Sequence, residues 1–165
     1  MPERIADALR NAVDTKLFWI GDDMLSKAPA MFKTLFPGER ACLVADRNTL
    51  SAAGREVYSS LHSAGVELVQ PYIFNEPPHA SIEAAETIRA YLADHNAIAV
   101  AVGSGSINDI CKLASFRAGR KYMCIATAAS VDGYASSGAP MTIDGFKKTV
   151  PCPAPAGIIA DLLVL

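Results

Sequence analysis

Residues 97–107 read Ala-Ile-Ala-Val-Ala-Val-Gly-Ser-Gly-Ser-Ile, and this pattern is the clearest indication of the fold class. The first six residues, 97–102, are all apolar, which is typical of a strand that is buried on both faces of a sheet. A Gly-Ser-Gly-Ser loop follows at 103–106, and residues 107–116 are predicted to form a helix. A buried strand that leads through glycines into a helix indicates an α/β protein with a parallel sheet.

The rest of the chain repeats this alternation of apolar runs and helical patterns. Near the carboxyl end, Asp144-Gly145 lies between two short β-type runs, which predicts a hairpin with a two-residue turn. The sequence therefore predicts a Rossmann-like parallel sheet with helices on both faces, plus a β-hairpin. Predicted strands cover 17–20, 41–45, 66–69, 97–102, 122–126 and 157–160; predicted helices cover 27–36, 49–63 with Thr49 as N-cap, 82–92 with Ser81 as N-cap, and 107–116; the hairpin covers 141–150.

Composition and charge exclude several classes of protein. The chain has 165 residues, 51% of them hydrophobic and 19% charged, which excludes a disordered chain. Fifteen Lys+Arg against 17 Asp+Glu give a net charge of −2, so no nucleic-acid partner is expected. No apolar run has the ~18–20 residues of a membrane span, and the first residues lack the apolar segment of a secretory signal. We expect one cytoplasmic domain without a membrane partner.

Cysteines and histidines offer no local metal motif. The four cysteines form no Cys-x-x-Cys pair, and we interpret them as free thiols packed as small hydrophobes. The three histidines are widely spaced, and we interpret them as ordinary surface residues. The cysteines are Cys42, Cys111, Cys124 and Cys152; the histidines are His62, His79 and His95.

The Gly103–Ser106 loop is the sharpest candidate for a binding site. Glycines permit close approach of a ligand and positive φ angles, and the start of the following helix offers free N–H groups and the positive end of its dipole to a phosphate. A tight turn without a ligand is the alternative. The pattern differs from the usual dinucleotide fingerprint, because the third glycine is missing and the loop follows the fourth strand rather than the first.

Other candidates follow other predicted strands, and their carboxyl ends face the same edge of a parallel sheet as the Gly/Ser loop. Asp46 ends the second strand, where an acidic residue often accepts from a ribose hydroxyl, although a helix-capping role is equally compatible. Residues 127–136, Thr-Ala-Ala-Ser-Val-Asp-Gly-Tyr-Ala-Ser, follow the fifth strand and offer hydroxyls and a carboxylate for a cofactor and a polyol, or form a plain surface loop. Asp109 and Lys112 have the spacing of an ordinary helical ion pair. Lys147-Lys148 is either a phosphate contact or a solvated hairpin edge.

These motifs carry a resemblance to a known family. The stretch from Gly103 to Asp109, followed by Lys112, resembles the Gly-Gly-Gly-Ser…Asp…Lys stretch of the iron-containing alcohol dehydrogenase and dehydroquinate synthase-like superfamily. Residues 127–136 resemble the Thr-x-x-Ser-x-Asp-Gly-x-x-Ser segment of the sn-glycerol-1-phosphate dehydrogenase family within it. Residues 158–161, Ile-Ile-Ala-Asp, are similar to the Ile-x-Ala-Asp that opens the metal site. Ser104 departs from the usual glycine, which we expect to be tolerated if its φ is negative.

The resemblance implies a role for each matching residue. Gly103, Ser104, Gly105, Ser106 and Ile107 would hold the pyrophosphate of NAD or NADP, and Asp46 the adenosine ribose. Asp132 would bind the substrate hydroxyl, and Asp161 would be a metal ligand beside the substrate. The contacts to the nicotinamide half would come from Thr127, Ser130 and Ser136.

The implied activity is an NAD(P)-dependent, metal-assisted reduction of dihydroxyacetone phosphate to sn-glycerol 1-phosphate. The metal would be divalent, with Zn²⁺ the candidate, and the substrate a small phosphorylated ketone or polyol. Glycerol dehydrogenase and 3-dehydroquinate synthase are alternatives within the superfamily, and a non-catalytic nucleotide-binding module is an alternative of another class.

The resemblance covers only the family's N-terminal nucleotide-binding domain, residues 1–165 here. The family's helical C-terminal domain, with its two metal-binding histidines, has no counterpart in this sequence. The chain also ends inside the apolar run 162–165. We therefore expect a fragment of a longer two-domain enzyme that is inactive alone and forms a homo-oligomer when complete; if 165 residues is the natural length, the module is the better interpretation.

Overall fold

A computed structural model describes residues 3–165, and its centre is a six-stranded parallel sheet. The strand order is β1-β8-β5-β4-β2-β3, and a separate two-stranded antiparallel hairpin pairs β6 with β7. The predicted class, a parallel α/β sheet with a hairpin, is confirmed. The strands are β1 (Leu17–Gly21), β2 (Arg40–Asp46), β3 (Tyr72–Phe74), β4 (Ala97–Gly103), β5 (Met123–Ala126), β6 (Ala139–Ile143), β7 (Phe146–Val150) and β8 (Gly157–Asp161).

Helices cover both faces of the sheet and close two apolar cores. One core packs helices α5 and α6 against the sheet and includes Ile88, Ile110 and Cys124. The other packs α2 and α4 against the opposite face and includes Phe32 and Val100. The helices are α1 (Glu3–Asn11), α2 (Ala28–Leu35), α3 (Arg47–Thr49), α4 (Arg55–Ser63), α5 (Ile82–His95) and α6 (Gly105–Arg117); a π-helical turn, Leu50–Gly54, joins α3 to α4.

The order of the strands creates a switch point between β2 and β4. The chain moves outward from β2 to β3 on one side, whereas after β4 it proceeds to β5 and β8 on the other. In open parallel sheets, ligands bind outside the carboxyl ends of the strands at such a point. The β2–β4 ladder brings Val44 beside Ala101, each two residues before its strand ends at Asp46 and Gly103.

The hairpin forms as its turn residues predict. Asp144 and Gly145 both have positive φ, 51° and 80°, as a two-residue hairpin turn requires. Ile143 pairs with Phe146 across the turn. The hairpin lies against the start of α5, because Thr142 N–H donates to the Ala80 carbonyl at 2.7 Å. It therefore stands at the carboxyl edge of the sheet, on the side of α5 and α6.

Three elements differ from the sequence prediction. The predicted strand at 66–69 makes only one isolated bridge, at Leu68, and the strand in this region is β3, beyond Pro71. Proline has no N–H to donate to a ladder, so pairing resumes only after it. Thr49 is not an N-cap, because the helix begins at Arg47 with Asp46 as its cap. Helix α1 was not predicted. Within residues 3–165, no helix is both long and apolar enough to span a membrane.

Candidate functional site

The predicted cofactor residues meet at the switch point of the sheet. Asp46 ends β2 and Gly103 ends β4, and these strands are neighbours. Gly103 is also the ladder partner of Ala126, the last residue of β5. Residue 127 and the segment after it therefore leave the sheet beside the Gly/Ser loop, as the sequence predicted for parallel strands that end at one edge.

The Gly/Ser loop needs its first glycine for packing. A Cβ built on Gly103 would lie 2.6 Å from Ile107 Cβ and 2.9 Å from two further carbons of that buried side chain. Neither Gly103 nor Gly105 has a positive φ, so the expectation that these glycines supply unusual dihedral angles is wrong. Ser104 has a φ of −85°, and its replacement of the usual glycine is sterically tolerated, as predicted.

The first turn of α6 is open to a ligand. Ser104 occupies the N-cap position, yet its side chain makes no capping hydrogen bond. By contrast, side chains cap α3 and α5, through Asp46 and Ser81. Uncapped N–H groups and the positive end of the helix dipole favour an anion. A Cβ at Gly105 would lie 3.7 Å from Val131, an ordinary contact, so the 127–138 segment also packs close to this turn.

Asp46 has a capping role and retains an unused oxygen. Its Oδ1 accepts from Thr49 N–H at 2.8 Å, and Thr49 Oγ1 accepts from Asp46 N–H at 3.1 Å. This is a reciprocal capping box. Oδ2 makes no hydrogen bond to any part of the chain that the structure describes. The capping interpretation is thus confirmed, while binding of a ribose stays a prediction.

Tyr134 fixes the start of the 127–138 segment, which joins β5 to β6 without a helix or strand. Its hydroxyl accepts from Thr127 N–H and Ala128 N–H and donates to the Gly103 carbonyl, each at 3.2 Å. A buried tyrosine usually places its hydroxyl in such a network. Tyr134 was not singled out from the sequence, and it ties this segment directly to the end of β4. The predicted polar residues Ser130, Asp132 and Ser136 are all exposed.

Asp109 and Lys112 form the ion pair that their spacing predicted, but in a buried setting. Lys112 Nζ lies 3.6 Å from Asp109 Oδ1, and the Lys112 side chain is 0% exposed. Burial raises the pKa of Asp109 to about 6, against the opposing effect of the Lys112 charge. The sequence predicted an ordinary helical ion pair and did not indicate that Lys112 is buried.

A cleft opens beside the first turn of α6, between α6 and the hairpin. Gly105, Ser106, Asp109, Thr142 and Lys147 line it, together with His79. Lys147 therefore lies near the candidate phosphate site, although both Lys147 and Lys148 are exposed as a solvated hairpin edge would be. The two interpretations of this lysine pair remain open.

Asp161 is buried and engaged by backbone amides. Its Oδ2 accepts from Leu25 N–H at 3.1 Å and its Oδ1 from Leu163 N–H at 3.0 Å. Catalytic zinc normally takes three protein ligands, and no group of three His, Cys, Asp or Glu side chains converges within residues 3–165. The described residues do not by themselves fit a metal ion, and ligation by Asp161 stays a prediction.

The four cysteines are free and buried, as predicted. Burial raises the pKa of the Cys42 and Cys124 thiols to about 12. Such thiols are protonated and inert at neutral pH, so they belong to the core and not to the site.

Comparison with known proteins agrees with this geometry. A family model described as iron-containing alcohol dehydrogenase matches residues 19–165. The chain belongs to this family. A glycerol-1-phosphate dehydrogenase [NAD(P)+] from Bacillus velezensis is 36% identical over 129 residues, 74% of this chain and 32% of the relative. The protein of the same name from Methanoculleus marisnigri is 32% identical over 148 residues, 88% of this chain and 39% of the relative.

Solved structures of the iron-containing alcohol dehydrogenase fold match the same region. A 1,3-propanediol oxidoreductase superposes with a TM-score of 0.82 over 94% of this chain and 46% of its own, at 19% identity. The glycerol dehydrogenase of Schizosaccharomyces pombe gives 0.77 over 92% of this chain and 39% of its own, at 20% identity. These likenesses establish the fold. The chain spans about a third of the length of the curated relatives named above.

Proposed function

We propose that this chain is the amino-terminal, nucleotide-binding part of a longer NAD(P)-dependent glycerol-1-phosphate dehydrogenase. The observation that carries the proposal is the meeting of Asp46 and the Gly103–Ile107 loop at the switch point of the sheet. It is supported by family membership and by relatives whose names include glycerol-1-phosphate dehydrogenase and NAD(P)+.

The cofactor binds across the carboxyl ends of β2 and β4. The uncapped first turn of α6 receives the pyrophosphate, since Gly103 lets the helix approach the strand end and Gly105 presents no side chain to the cleft that it lines. The free oxygen of Asp46 accepts from the adenosine ribose. Arg47, exposed beside it with one Nη donating to Asn75 Oδ1 at 3.2 Å, is placed to pair the 2′-phosphate of NADP.

The substrate lies beside the 127–138 segment. Thr127, Ser130 and Ser136 face the nicotinamide half, and the exposed carboxylate of Asp132 accepts from a substrate hydroxyl. When bound, NAD(P)H would supply the hydride for the ketone carbon of dihydroxyacetone phosphate and would be oxidised to NAD(P)⁺, and a proton from solvent would complete the hydroxyl group at the former carbonyl oxygen. This chain binds and orients both reactants.

A substrate panel on the full-length enzyme tests the proposal. Oxidation of NADH and NADPH is followed at 340 nm with dihydroxyacetone phosphate, dihydroxyacetone and a sugar-phosphate ketone. The proposal predicts that kcat/KM is highest for dihydroxyacetone phosphate and that the product is sn-glycerol 1-phosphate. Preference for unphosphorylated dihydroxyacetone would favour a glycerol dehydrogenase, and turnover of none would contradict the proposal in favour of a binding module.

A further inference from the structure

Lys112 places its ammonium group in the protein interior, and all of its N–H groups donate hydrogen bonds. Nζ donates to the carbonyl oxygens of Gly133 at 3.2 Å, Ser136 at 2.9 Å and Gly138 at 3.2 Å. An ammonium carries three N–H groups, so this set is complete. The carboxylate of Asp109 lies one helical turn earlier. A buried charge is strongly destabilising unless hydrogen bonds and an opposite charge compensate it. A buried ammonium group with a full set of hydrogen bonds permits little movement of its acceptors.

All three acceptors belong to the 127–138 segment. The segment forms no helix or strand, although turn hydrogen bonds link parts of it and Gly138 N–H donates to the Cys152 carbonyl at 2.7 Å. Tyr134 holds the start of the segment to Gly103, whereas Lys112 contacts its second half. Gly133 directly follows Asp132, so Lys112 ties the backbone next to Asp132 to α6.

The same helix carries the proposed pyrophosphate site at its first turn. Lys112 is seven residues after Gly105, which is two turns, so it projects from the same side of α6 as that first residue. One rigid helix thus carries the proposed pyrophosphate site and holds the backbone next to Asp132, which is a better support than a free loop.

We propose that Lys112 is a positioning residue for substrate reduction: it touches neither reactant, and it holds the Gly133–Gly138 backbone so that Asp132 meets the substrate hydroxyl. This inference rests on the proposed function, which assigns Asp132 to the substrate. A shift of about 1 Å in a positioned group lowers turnover on the order of 100-fold. Loss of the ammonium is therefore expected to affect the substrate far more than the cofactor.

The test is a double-mutant cycle in the full-length enzyme. Lys112→Met keeps the apolar stem and removes the donors; Lys121→Met, at an exposed lysine, is the matched control. We expect Lys112→Met to lower kcat/KM for dihydroxyacetone phosphate by about 10- to 100-fold, with the Kd for NADH changed less than about threefold and the control unchanged. Because Lys112 acts through Asp132, adding Lys112→Met to Asp132→Asn should cost less than about threefold more.

A purely structural role gives a different result. In that case the losses from Lys112→Met and Asp132→Asn multiply, or NADH affinity falls along with turnover, and either result overturns the inference. Hydrogen exchange should rise in 127–138 and not in β4 or β5; a rise throughout the sheet would also overturn it. If Lys112→Met does not fold, the double variant Asp109→Asn/Lys112→Met replaces it in the cycle, because it leaves no unpaired charge.

Failure of the proposed function is distinguishable. A wild-type enzyme that does not reduce dihydroxyacetone phosphate overturns the proposed function and this inference together. A wild-type enzyme with the expected activity, and a Lys112→Met variant with unchanged kcat/KM, overturns only the role of Lys112.

Discussion

Replacing Gly103 with alanine tests the close packing that seats α6 on the end of β4. The new Cβ would lie 2.6 Å from Ile107 Cβ and 2.9 Å from Ile107 Cγ2 and Cδ1. Ile107 Cβ is anchored to the helix backbone and cannot rotate away, so strand and helix must separate by several tenths of an ångström. Overpacking of this kind costs about 1–3 kcal/mol.

A smaller opposing effect reduces the net change. Replacing glycine with alanine stabilises by about 0.4–1 kcal/mol through the lower entropy of the unfolded chain. The middle of each range gives a net loss in free energy of unfolding of about 1.3 kcal/mol, which lowers the Tm by roughly 3–5 °C for a chain of this size. Because the clash is at the switch point, the loss reports directly on the geometry beneath the proposed phosphate site.

Urea unfolding followed by circular dichroism at 222 nm measures this change, with equal m-values required for the comparison. Gly105→Ala is the matched control, since its Cβ would lie 3.7 Å from Val131, an ordinary contact. We expect the control to unfold within about 0.5 kcal/mol of the wild type or at slightly higher urea. A Gly103→Ala variant as stable as its control would refute the reasoning from close packing.

Three further predictions concern the carboxylates. Asp132→Asn should lower kcat/KM for dihydroxyacetone phosphate by tenfold or more, about 1.4 kcal/mol, while the Kd for NADH stays nearly constant; equal losses in both would mean a structural residue. Burial raises the pKa of Asp109 to about 6 in the folded state, above the value of about 4 in unfolded chains, so the folded state binds the proton more tightly. The free energy of unfolding of the wild type, measured by urea titration, should therefore fall relative to that of Asp109→Asn as the pH rises from about 4 to about 6. A wild-type stability that stays constant or rises relative to that of the variant would contradict this prediction. Since no group of three candidate ligands forms around Asp161 within residues 3–165, calorimetry should find only weak Zn²⁺ binding and assays should find no dehydrogenase activity in the 165-residue chain. Tight stoichiometric binding or turnover would reveal a local metal site.

Much of the architecture follows from local signals in the sequence. The apolar run 97–102 is buried on both faces because a parallel strand between two helical layers has no polar side. Asp144-Gly145 predicts the hairpin because both residues accept the positive φ of its turn. Since parallel strands end at one edge, Asp46, Gly103 and Thr127 could be placed at the same edge of the sheet, whereas the structure shows that their strands are neighbours.

Two other elements were decided by single residues close in sequence. The run 66–69 has the composition of a strand, but its ladder is interrupted at Pro71, and the regular pairing follows at β3. Thr49 has the residue type of an N-cap, yet Asp46 one turn earlier takes that position and Thr49 becomes its partner. In each case the sequence contains signals for both alternatives, and the structure shows which one forms.

At the candidate site, Lys112 depends on contacts that no local pattern contains. Its spacing from Asp109 predicts an ordinary helical ion pair, whereas its three acceptors lie 21–26 residues away in a segment without regular structure. Tyr134 likewise reaches back to Gly103 across 31 residues. Only the folded chain brings three carbonyl oxygens around one lysine. Sequence reasoning therefore identified the polar residues of the site but not the groups that hold them in place.

Titration of NADH and NADPH into the 165-residue chain tests directly whether the Gly103–Ile107 loop holds the cofactor pyrophosphate. Gly105→Val places a branched side chain over the first turn of α6. The control Ala93→Val, at an exposed position in the last turn of α5, creates the same branched side chain at the opposite edge of the sheet. The account predicts one site per chain, a Kd at least about tenfold weaker in Gly105→Val, equivalent to about 1.4 kcal/mol, and no change in Ala93→Val. An unchanged Kd in a folded Gly105→Val variant, or no binding of either nucleotide by the wild type, would contradict it.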